Sequence, residues 1–120
     1  AAGGADLGGA GWGAYAASKA AVDHLRRVRA LEIDGTGVSV CAFHPGLIDT
    51  AMQERIRRAT PDEFPRVGEF SEAHAAGRVP DPHGPARIVA YLCSPGGARN
   101  GATLEVTDLE LQRAADEALR

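Results

Sequence analysis

Tyr15 and Lys19 are the two residues whose types and spacing most directly indicate chemistry in this chain. If they share a helix, their separation of four positions places both side chains on one face, one turn apart. A free tyrosine hydroxyl has a pKa of about 10, too high for ready proton exchange at neutral pH. A lysine ammonium held nearby favours the phenolate. The pair is therefore a candidate general acid/base that exchanges a proton with a carbonyl or an alcohol.

The same spacing also fits a packed aromatic ring beside a solvated lysine, so the pair alone does not establish a catalytic site. A second motif, Pro45-Gly46-Leu47-Ile48-Asp49-Thr50, follows an apolar segment downstream. Proline and glycine favour a tight turn with exposed backbone amides. Ligands of open α/β sheets bind beyond the carboxyl ends of the strands, where this turn would lie.

The two motifs together resemble the short-chain dehydrogenase/reductase family. Its active-site helix carries Tyr-x-x-x-Lys, often as Tyr-x-Ala-Ser-Lys, and its next strand runs into Pro-Gly-x-(Ile/Val)-x-Thr. This chain has Tyr15-Ala16-Ala17-Ser18-Lys19 and the segment from Pro45 to Thr50 in the same order. The run from Asp49 to Arg57 is most similar to the sepiapterin- and benzil-reductase-like branch.

The resemblance implies an oxidoreductase that transfers a hydride between NAD(P)(H), with NADP favoured, and a small ketone or alcohol. Tyr15 would be the proton donor or acceptor, and Lys19 would favour its phenolate and bind the nicotinamide ribose. The Ile48 backbone and the Thr50 hydroxyl would hold the carboxamide or the adjacent phosphate. The full-length protein would be a homodimer or homotetramer. Four residues would shape the nicotinamide site: Pro45, Gly46, Ile48 and Thr50.

Two features of the family do not occur at the start of the sequence. The glycines between Gly3 and Gly13 fit neither Gly-x-Gly-x-x-Gly nor Gly-x-x-x-Gly-x-Gly, and the first fourteen residues contain no serine. The fold expected is therefore α/β, the C-terminal half of a Rossmann-type doubly wound parallel sheet whose dinucleotide-phosphate half is absent. We expect such a truncated chain to be weak or inactive alone. A divergent short protein is the alternative.

The composition fits one domain and gives no support for a nucleic-acid, membrane or metal partner. The chain has 120 residues, 44% of them hydrophobic, which suffices for one packed core. Its net charge of -3 gives no support for a nucleic-acid or membrane partner. No apolar run approaches the ~20 residues of a membrane span, and no secretory signal opens the chain. Cys41 and Cys93 form no paired motif, which fits the cytoplasm. His74 and His83 lack the spacing of a metal-binding pair, so no metal is expected.

Periodicity predicts a helix from Gly13 to Asp34. Tyr15 and Lys19 would face a cleft or a partner. Its buried face would consist of five apolar residues at helical spacing: Ala17, Ala21, Leu25, Val28 and Leu31. Four charged residues off this face are expected in solvent: Asp23, Arg26, Arg27 and Arg29.

A strand is predicted over 38–43, because this segment is nearly continuously apolar. The cofactor loop would follow over 44–50, with His44 as a hydrogen-bonded turn residue. A variable substrate lid would span 51–82, with helices over 51–59 and 69–76. A final helix, strand and helix would fill 84–120, with the strand over 102–106 and Asp108 capping the last helix. The prediction for 1–12 is a flexible glycine-rich loop. Trp12 would pack this loop against the first helix, and the alternative is that it lines the substrate pocket. Three candidates to line a substrate are equally explained by packing: Met52, Phe64 and Phe70.

Two other functions compete with the reductase. The helix from Gly13 to Asp34 could form the dimerising surface of a non-catalytic interaction module. A serine hydrolase using Ser18, His44 and Asp49 is disfavoured, because no Gly-x-Ser-x-Gly elbow is present and Ser18 falls inside a helix.

Overall fold

The computed structural model describes residues 10–120. The predicted loop over 1–12 therefore lies mostly outside the described residues. Within the described range, no helix is both long enough and apolar enough to cross a membrane. The elements follow in this order: α1 (Gly13–Glu32), β1 (Ala42–His44), α2 (Ala51–Arg57), α3 (Val67–Ala75), α4 (His83–Leu92), a 3₁₀ turn (Pro95–Gly97), β2 (Thr103–Glu105) and α5 (Leu109–Ala118).

The two strands pair in parallel, with Phe43 of β1 opposite Leu104 of β2. Parallel neighbours need a long crossover, and here α2, α3 and α4 lie between them in the chain. Helices alternating with a parallel strand pair make an α/β fold, as the sequence predicts. The larger doubly wound sheet, of which this pair would be one half, stays a prediction.

The packed core lies where α4 and α5 meet the sheet. Four buried residues form its centre, with Phe43 and Leu104 of the strands packed against them. Asp108 begins α5 as predicted, since its carboxylate accepts hydrogen bonds from the backbone amides of Glu110 (3.0 Å) and Leu111 (3.1 Å). The central core residues are Ile88, Tyr91, Leu111 and Ala115.

The prediction for the buried face of α1 is wrong. Leu25 is 60% exposed and Leu31 is 81% exposed, and Ala17 and Ala21 are also exposed. Arg26, predicted to lie in solvent, is instead only 8% exposed. The reason is that the side of α1 carrying Arg26 lies against the start of β2, where main-chain oxygens accept its hydrogen bonds.

Several predicted boundaries also move. The helix α2 ends at Arg57 rather than at residue 59, and α3 covers Val67–Ala75 rather than 69–76. The helix α4 begins at His83 rather than at residue 84, and β2 covers Thr103–Glu105 rather than 102–106. α1 ends at Glu32 rather than at residue 34, because the chain then turns through Gly35 and Gly37, which have φ angles of +74° and +82°. β1 covers Ala42–His44 rather than 38–43, in register with the three residues of β2. His44 is therefore the last residue of a strand, and its carbonyl oxygen accepts a hydrogen bond from Val106 N at 2.9 Å.

Gly97 provides a test of the packing beneath the end of α4. A Cβ atom here would lie 1.9 Å from the carbonyl oxygen of Tyr91 and 2.8 Å from the Cα of Leu92. Gly97→Ala should therefore lower the free energy of unfolding by about 1–3 kcal/mol, because backbone must move. Urea unfolding of Gly96→Ala is the control, since a Cβ there meets no atom within 4 Å. Equal losses in the two variants would contradict this packing.

Asp23 provides a pH-dependent test. Its carboxylate accepts hydrogen bonds from Arg26 and Arg27, and the bond from Arg26 is the largest cause of its lowered pKa. A carboxylate whose pKa falls on folding adds stability above its unfolded pKa and loses it as the pH falls through the folded pKa. Asp23→Asn should therefore destabilise the protein at neutral pH, and by progressively less as the acidic pH falls through the lowered pKa of Asp23.

The measurement is chemical unfolding of wild type and variant at neutral and at acidic pH. Asp62→Asn is the control, because Asp62 is exposed and forms no hydrogen bond or ion pair within residues 10–120. A destabilisation by Asp23→Asn that stays constant with pH would rule out the carboxylate as its source.

Candidate active site

The helix α1 brings Tyr15 and Lys19 together as their spacing predicts. The Lys19 ammonium nitrogen lies 5.5 Å from the centre of the Tyr15 ring, and both residues are half-buried. Neither the Tyr15 hydroxyl nor the Lys19 ammonium forms a hydrogen bond or ion pair with any residue that the structure describes. Both polar ends can therefore bind a ligand without first breaking an internal bond.

Trp12 connects this helix to the segment between α2 and α3. Its ring packs edge-on against Tyr15, with centroids 4.9 Å apart, and against Phe64 at 5.5 Å. Phe70 of α3 lies 5.9 Å from Trp12 and 5.7 Å from Phe64. Such edge-on and tilted pairs add to the stabilisation from burial alone. Trp12 therefore fixes the approach of residues 64–70 to the helix that carries Tyr15.

A cavity of about 760 Å³ opens beside Tyr15. Trp12, Tyr15 and Phe64 form its aromatic wall, and α2 supplies Met52 and Ile56. Its volume is in the range of small-molecule sites, which are mostly apolar with a few polar groups. Of the three predicted substrate-lining candidates, Met52 and Phe64 face this cavity, and Phe70 packs behind its aromatic wall.

The charged groups of the cavity differ in their partners. Arg58 pairs with Glu54 one turn earlier on α2. Glu63 accepts hydrogen bonds from the backbone amide and hydroxyl of Thr60, and the backbone bond is the larger cause of its lowered pKa. Glu63 is therefore ionised at neutral pH.

Arg55, which also lines the cavity, forms no ion pair or side-chain hydrogen bond among residues 10–120. Ile56 could have been found from its i, i+4 spacing with Met52, but no sequence signal singles out Arg55.

The predicted cofactor loop joins β1 to α2. Gly46 has a φ angle of +70°, which favours glycine. Thr50 caps α2 by accepting a hydrogen bond from Gln53 N at 3.4 Å. The backbone N–H and C=O of Ile48 bond to no residue in the described part of the chain. Ala51, next to Thr50, lines the cavity that Tyr15 also lines. The other predicted site residues do not line it: Lys19, Pro45, Gly46, Ile48 and Thr50.

The hydrolase alternative finds no support in this geometry. The Ser18 hydroxyl donates a hydrogen bond to the Tyr15 carbonyl oxygen at 2.7 Å within α1. Asp49 pairs with Arg57 across 3.4 Å. Within residues 10–120, no hydrogen bond or ion pair joins Ser18, His44 and Asp49. These three side chains therefore form no nucleophile, base and acid relay.

Comparison with known proteins gives consistent relatives. A benzil reductase forming (S)-benzoin from Saccharomyces cerevisiae is 33% identical over 109 residues, covering 84% of this chain and 40% of the relative. A diacetyl reductase forming (S)-acetoin from Staphylococcus aureus is 34% identical over 83 residues, covering 65% of this chain and 32% of the relative. A dehydrogenase from Cochliobolus heterostrophus is 41% identical over 91 residues, covering 76% and 39%.

This chain thus spans about two fifths or less of the length of these relatives. No solved structure gives a significant match. The benzil reductase relatives agree with the branch that the segment from Asp49 to Arg57 suggests. The sequence model of the short chain dehydrogenases matches residues 2–61, half of the chain, and includes both motifs. The chain belongs to the short-chain dehydrogenase/reductase family.

Proposed function

We propose that the gene product containing this chain is an NAD(P)(H)-dependent oxidoreductase that interconverts a small ketone and its alcohol. The observation that carries the proposal is the pair on α1. Tyr15 and Lys19 share one face, their polar ends have no partner in the described part of the chain, and Tyr15 lines a cavity. Family membership and relatives named as reductases support the same chemistry.

Tyr15 is the proposed proton carrier. In reduction, its hydroxyl donates a proton to the carbonyl oxygen as a hydride reaches the carbonyl carbon. In oxidation, its phenolate takes the proton from the alcohol. The Lys19 ammonium nitrogen lies 5.5 Å from the centre of the Tyr15 ring, on the same face of α1. A bound nicotinamide dinucleotide would supply the hydride for reduction and accept it in oxidation.

The residues around the loop from Pro45 to Thr50 fit the nicotinamide end of this cofactor. A carboxamide both donates and accepts hydrogen bonds, and Ile48 offers an unpartnered backbone N–H and C=O in the described structure. The Thr50 hydroxyl accepts from Gln53 N and retains its own proton for donation. In this proposal Lys19 binds the ribose hydroxyls, and Pro45 and Gly46 shape the turn. NADP(H) is the form we expect, and its comparison with NAD(H) as hydride donor tests that choice.

The cavity favours a compact and largely apolar carbonyl compound. Its wall beside Tyr15 consists of aromatic rings, and Met52 and Ile56 face them from α2. Benzil and diacetyl, the compounds in the names of two relatives, differ in having and lacking aromatic rings. We propose that this site reduces such a dicarbonyl compound.

The unpaired thiols of Cys41 and Cys93 fit a reducing compartment such as the cytoplasm.

An interaction module is the second candidate, because α1 exposes an apolar face. Val22, Leu25, Val28 and Leu31 are each at least 40% exposed. Such a face could bury itself against a second copy. The same face also fits a homodimeric or homotetrameric reductase. The two candidates therefore differ in whether the Tyr15 hydroxyl is needed, rather than in whether the protein associates.

Tyr15→Phe separates these two functions. In a reductase, loss of the hydroxyl removes the proton carrier and should lower kcat by about 10²–10⁴-fold. Consumption of NADPH or NADH, followed by absorbance with benzil or diacetyl, measures this change. Tyr91→Phe is the control, because its hydroxyl bonds to the Gly96 carbonyl oxygen within the core. Turnover that survives Tyr15→Phe unchanged would exclude Tyr15 as the proton carrier, whereas a wild type that associates but shows no turnover would favour the interaction module.

Phe64→Ala tests the aromatic wall. It removes one face of the cavity and two ring contacts, to Trp12 and Phe70. Stacking against aromatic substrates should weaken, so KM for benzil should rise by about tenfold while KM for diacetyl changes little. Phe43→Leu is the control for general destabilisation, because Phe43 packs against the core and is distant from Phe64 in the sequence. Equal effects on both substrates would show that Phe64 does not contact the aromatic ring.

A further inference from the structure

Arg26 is a buried cation that joins two distant parts of the chain. Its Nη1 donates hydrogen bonds to the carbonyl oxygens of Gly101 at 2.8 Å and Ala102 at 3.3 Å. Its Nη2 donates to the hydroxyl of Thr103 at 3.3 Å. Asp23, one turn earlier on α1, balances its charge through contacts to Nε and Nη2 at 3.1 and 3.0 Å. The guanidinium thereby connects α1 to the start of β2.

The same junction also includes the start of β1. The Ala102 carbonyl oxygen that Arg26 contacts also accepts a hydrogen bond from Ala42 N at 2.9 Å. Asn100 donates through Nδ2 to the Ala30 carbonyl oxygen at 2.9 Å and accepts from Val40 N at 3.1 Å. One polar junction therefore contacts α1, the chain entering β1 and the chain entering β2. We call these residues, Asp23, Arg26, Asn100 and the carbonyls of 101 and 102, the strand junction.

We propose that Arg26 is a positioning residue that sets Tyr15 relative to the loop from Pro45 to Thr50. This inference rests on the proposed reductase function. Tyr15 and Arg26 lie on one helix, and the loop begins where β1 ends at His44. Arg26 holds that helix to the strand pair, so it determines where Tyr15 stands with respect to a ligand on the loop.

A tilt of the helix at Arg26 displaces Tyr15, because both residues lie on α1. Tyr15 and Arg26 are eleven positions apart, which corresponds to roughly 16 Å along the axis. A tilt of about 4° at the strand junction would thus displace Tyr15 by about 1 Å. A displacement of that size can cost up to about 10²-fold in rate, because hydride and proton must reach the substrate together. Leu25 and Leu31 are largely exposed, so they bury little of α1 against the rest of residues 10–120.

Arg27 offers a matched control. It also pairs with Asp23, at 3.0 Å, but its side chain is 67% exposed and forms no hydrogen bond with β1 or β2. A variant at Arg27 removes the same charge from the same helix and leaves the strand junction intact. Any difference between the two variants therefore reports the contacts with the strands.

The experiment compares Arg26→Ala and Arg27→Ala in the complete gene product. For Arg26→Ala we expect kcat, per dinucleotide-binding molecule, to fall by about tenfold with KM for the carbonyl compound nearly unchanged. Guanidinium chloride at tens of millimolar should restore part of kcat, whereas sodium chloride at equal ionic strength should not. The pH profile should keep its shape, because Tyr15 and Lys19 move together on α1. Arg27→Ala should retain the wild-type kcat.

Several outcomes would overturn the proposal. A wild-type kcat in Arg26→Ala, or a lowered kcat that guanidinium leaves unchanged, would reduce Arg26 to a structural role or none. If Arg26→Ala fails to fold, Arg26→Lys serves instead, since it keeps the charge but reaches fewer acceptors. A wild-type kcat in Arg26→Lys would then refute the proposal. Tyr15→Phe is assayed in parallel: its inactivity beside an unaffected Arg26→Ala rejects only the positioning role, whereas its full activity rejects the proposed function as well.

Discussion

The hydrogen bonds that Arg26 donates to the backbone at the start of β2 are the constraint on which the arrangement of this structure depends. The apolar core forms where α4 and α5 meet the sheet, away from α1. Apart from the buried Ala30, which lies beside Gly101, attachment of α1 to the strands therefore depends on polar groups. A buried guanidinium is costly unless its charge and its donors are satisfied, and Asp23, two carbonyl oxygens and a hydroxyl meet that need. A geometry so fully satisfied leaves few alternative orientations for the helix.

A second attachment lies at the other end of α1, where Trp12 packs against Tyr15, Phe64 and Phe70. The two attachments differ in character. The aromatic contacts tolerate small sliding movements, because dispersion and burial depend weakly on direction. The hydrogen bonds of Arg26 require specific distances and angles. The cavity beside Tyr15 is thus bounded by an adaptable aromatic wall on a helix whose orientation is fixed elsewhere. That combination suits the function proposed above, in which different carbonyl compounds would bind around Tyr15 as one fixed proton carrier.

Several polar groups near the proposed site have no hydrogen-bond partner in the described part of the chain. Buried and half-buried polar groups in folded proteins are normally hydrogen-bonded. In the described part of the chain, the Tyr15 hydroxyl, the Lys19 ammonium and the backbone of Ile48 are not. By contrast, Ser18, Thr50 and Asn100 all use their side chains within the fold. These three groups lie in the two motifs shared with the family, which supports a role in binding. Among the described residues, Trp12 Nε1, Gln53 Oε1 and Arg57 Nη1 are also buried without a hydrogen-bond partner, and they lie outside both motifs.

The sequence alone determined the local features. Helical periodicity predicted that Tyr15 and Lys19 share a face, Asp108 predicted the start of α5, and Pro45-Gly46 predicted the turn after β1. Each depends on residues close in the chain.

Only the tertiary structure decided which face of α1 is covered, because that depends on Gly101 and Ala102, some seventy-five positions away from Arg26. An arginine carries no signal of whether distant carbonyl oxygens will surround it. Hydrophobic periodicity likewise identifies an apolar face but not the presence of a neighbour to cover it, so Leu25 and Leu31 were assigned to a core that the described residues do not form around them.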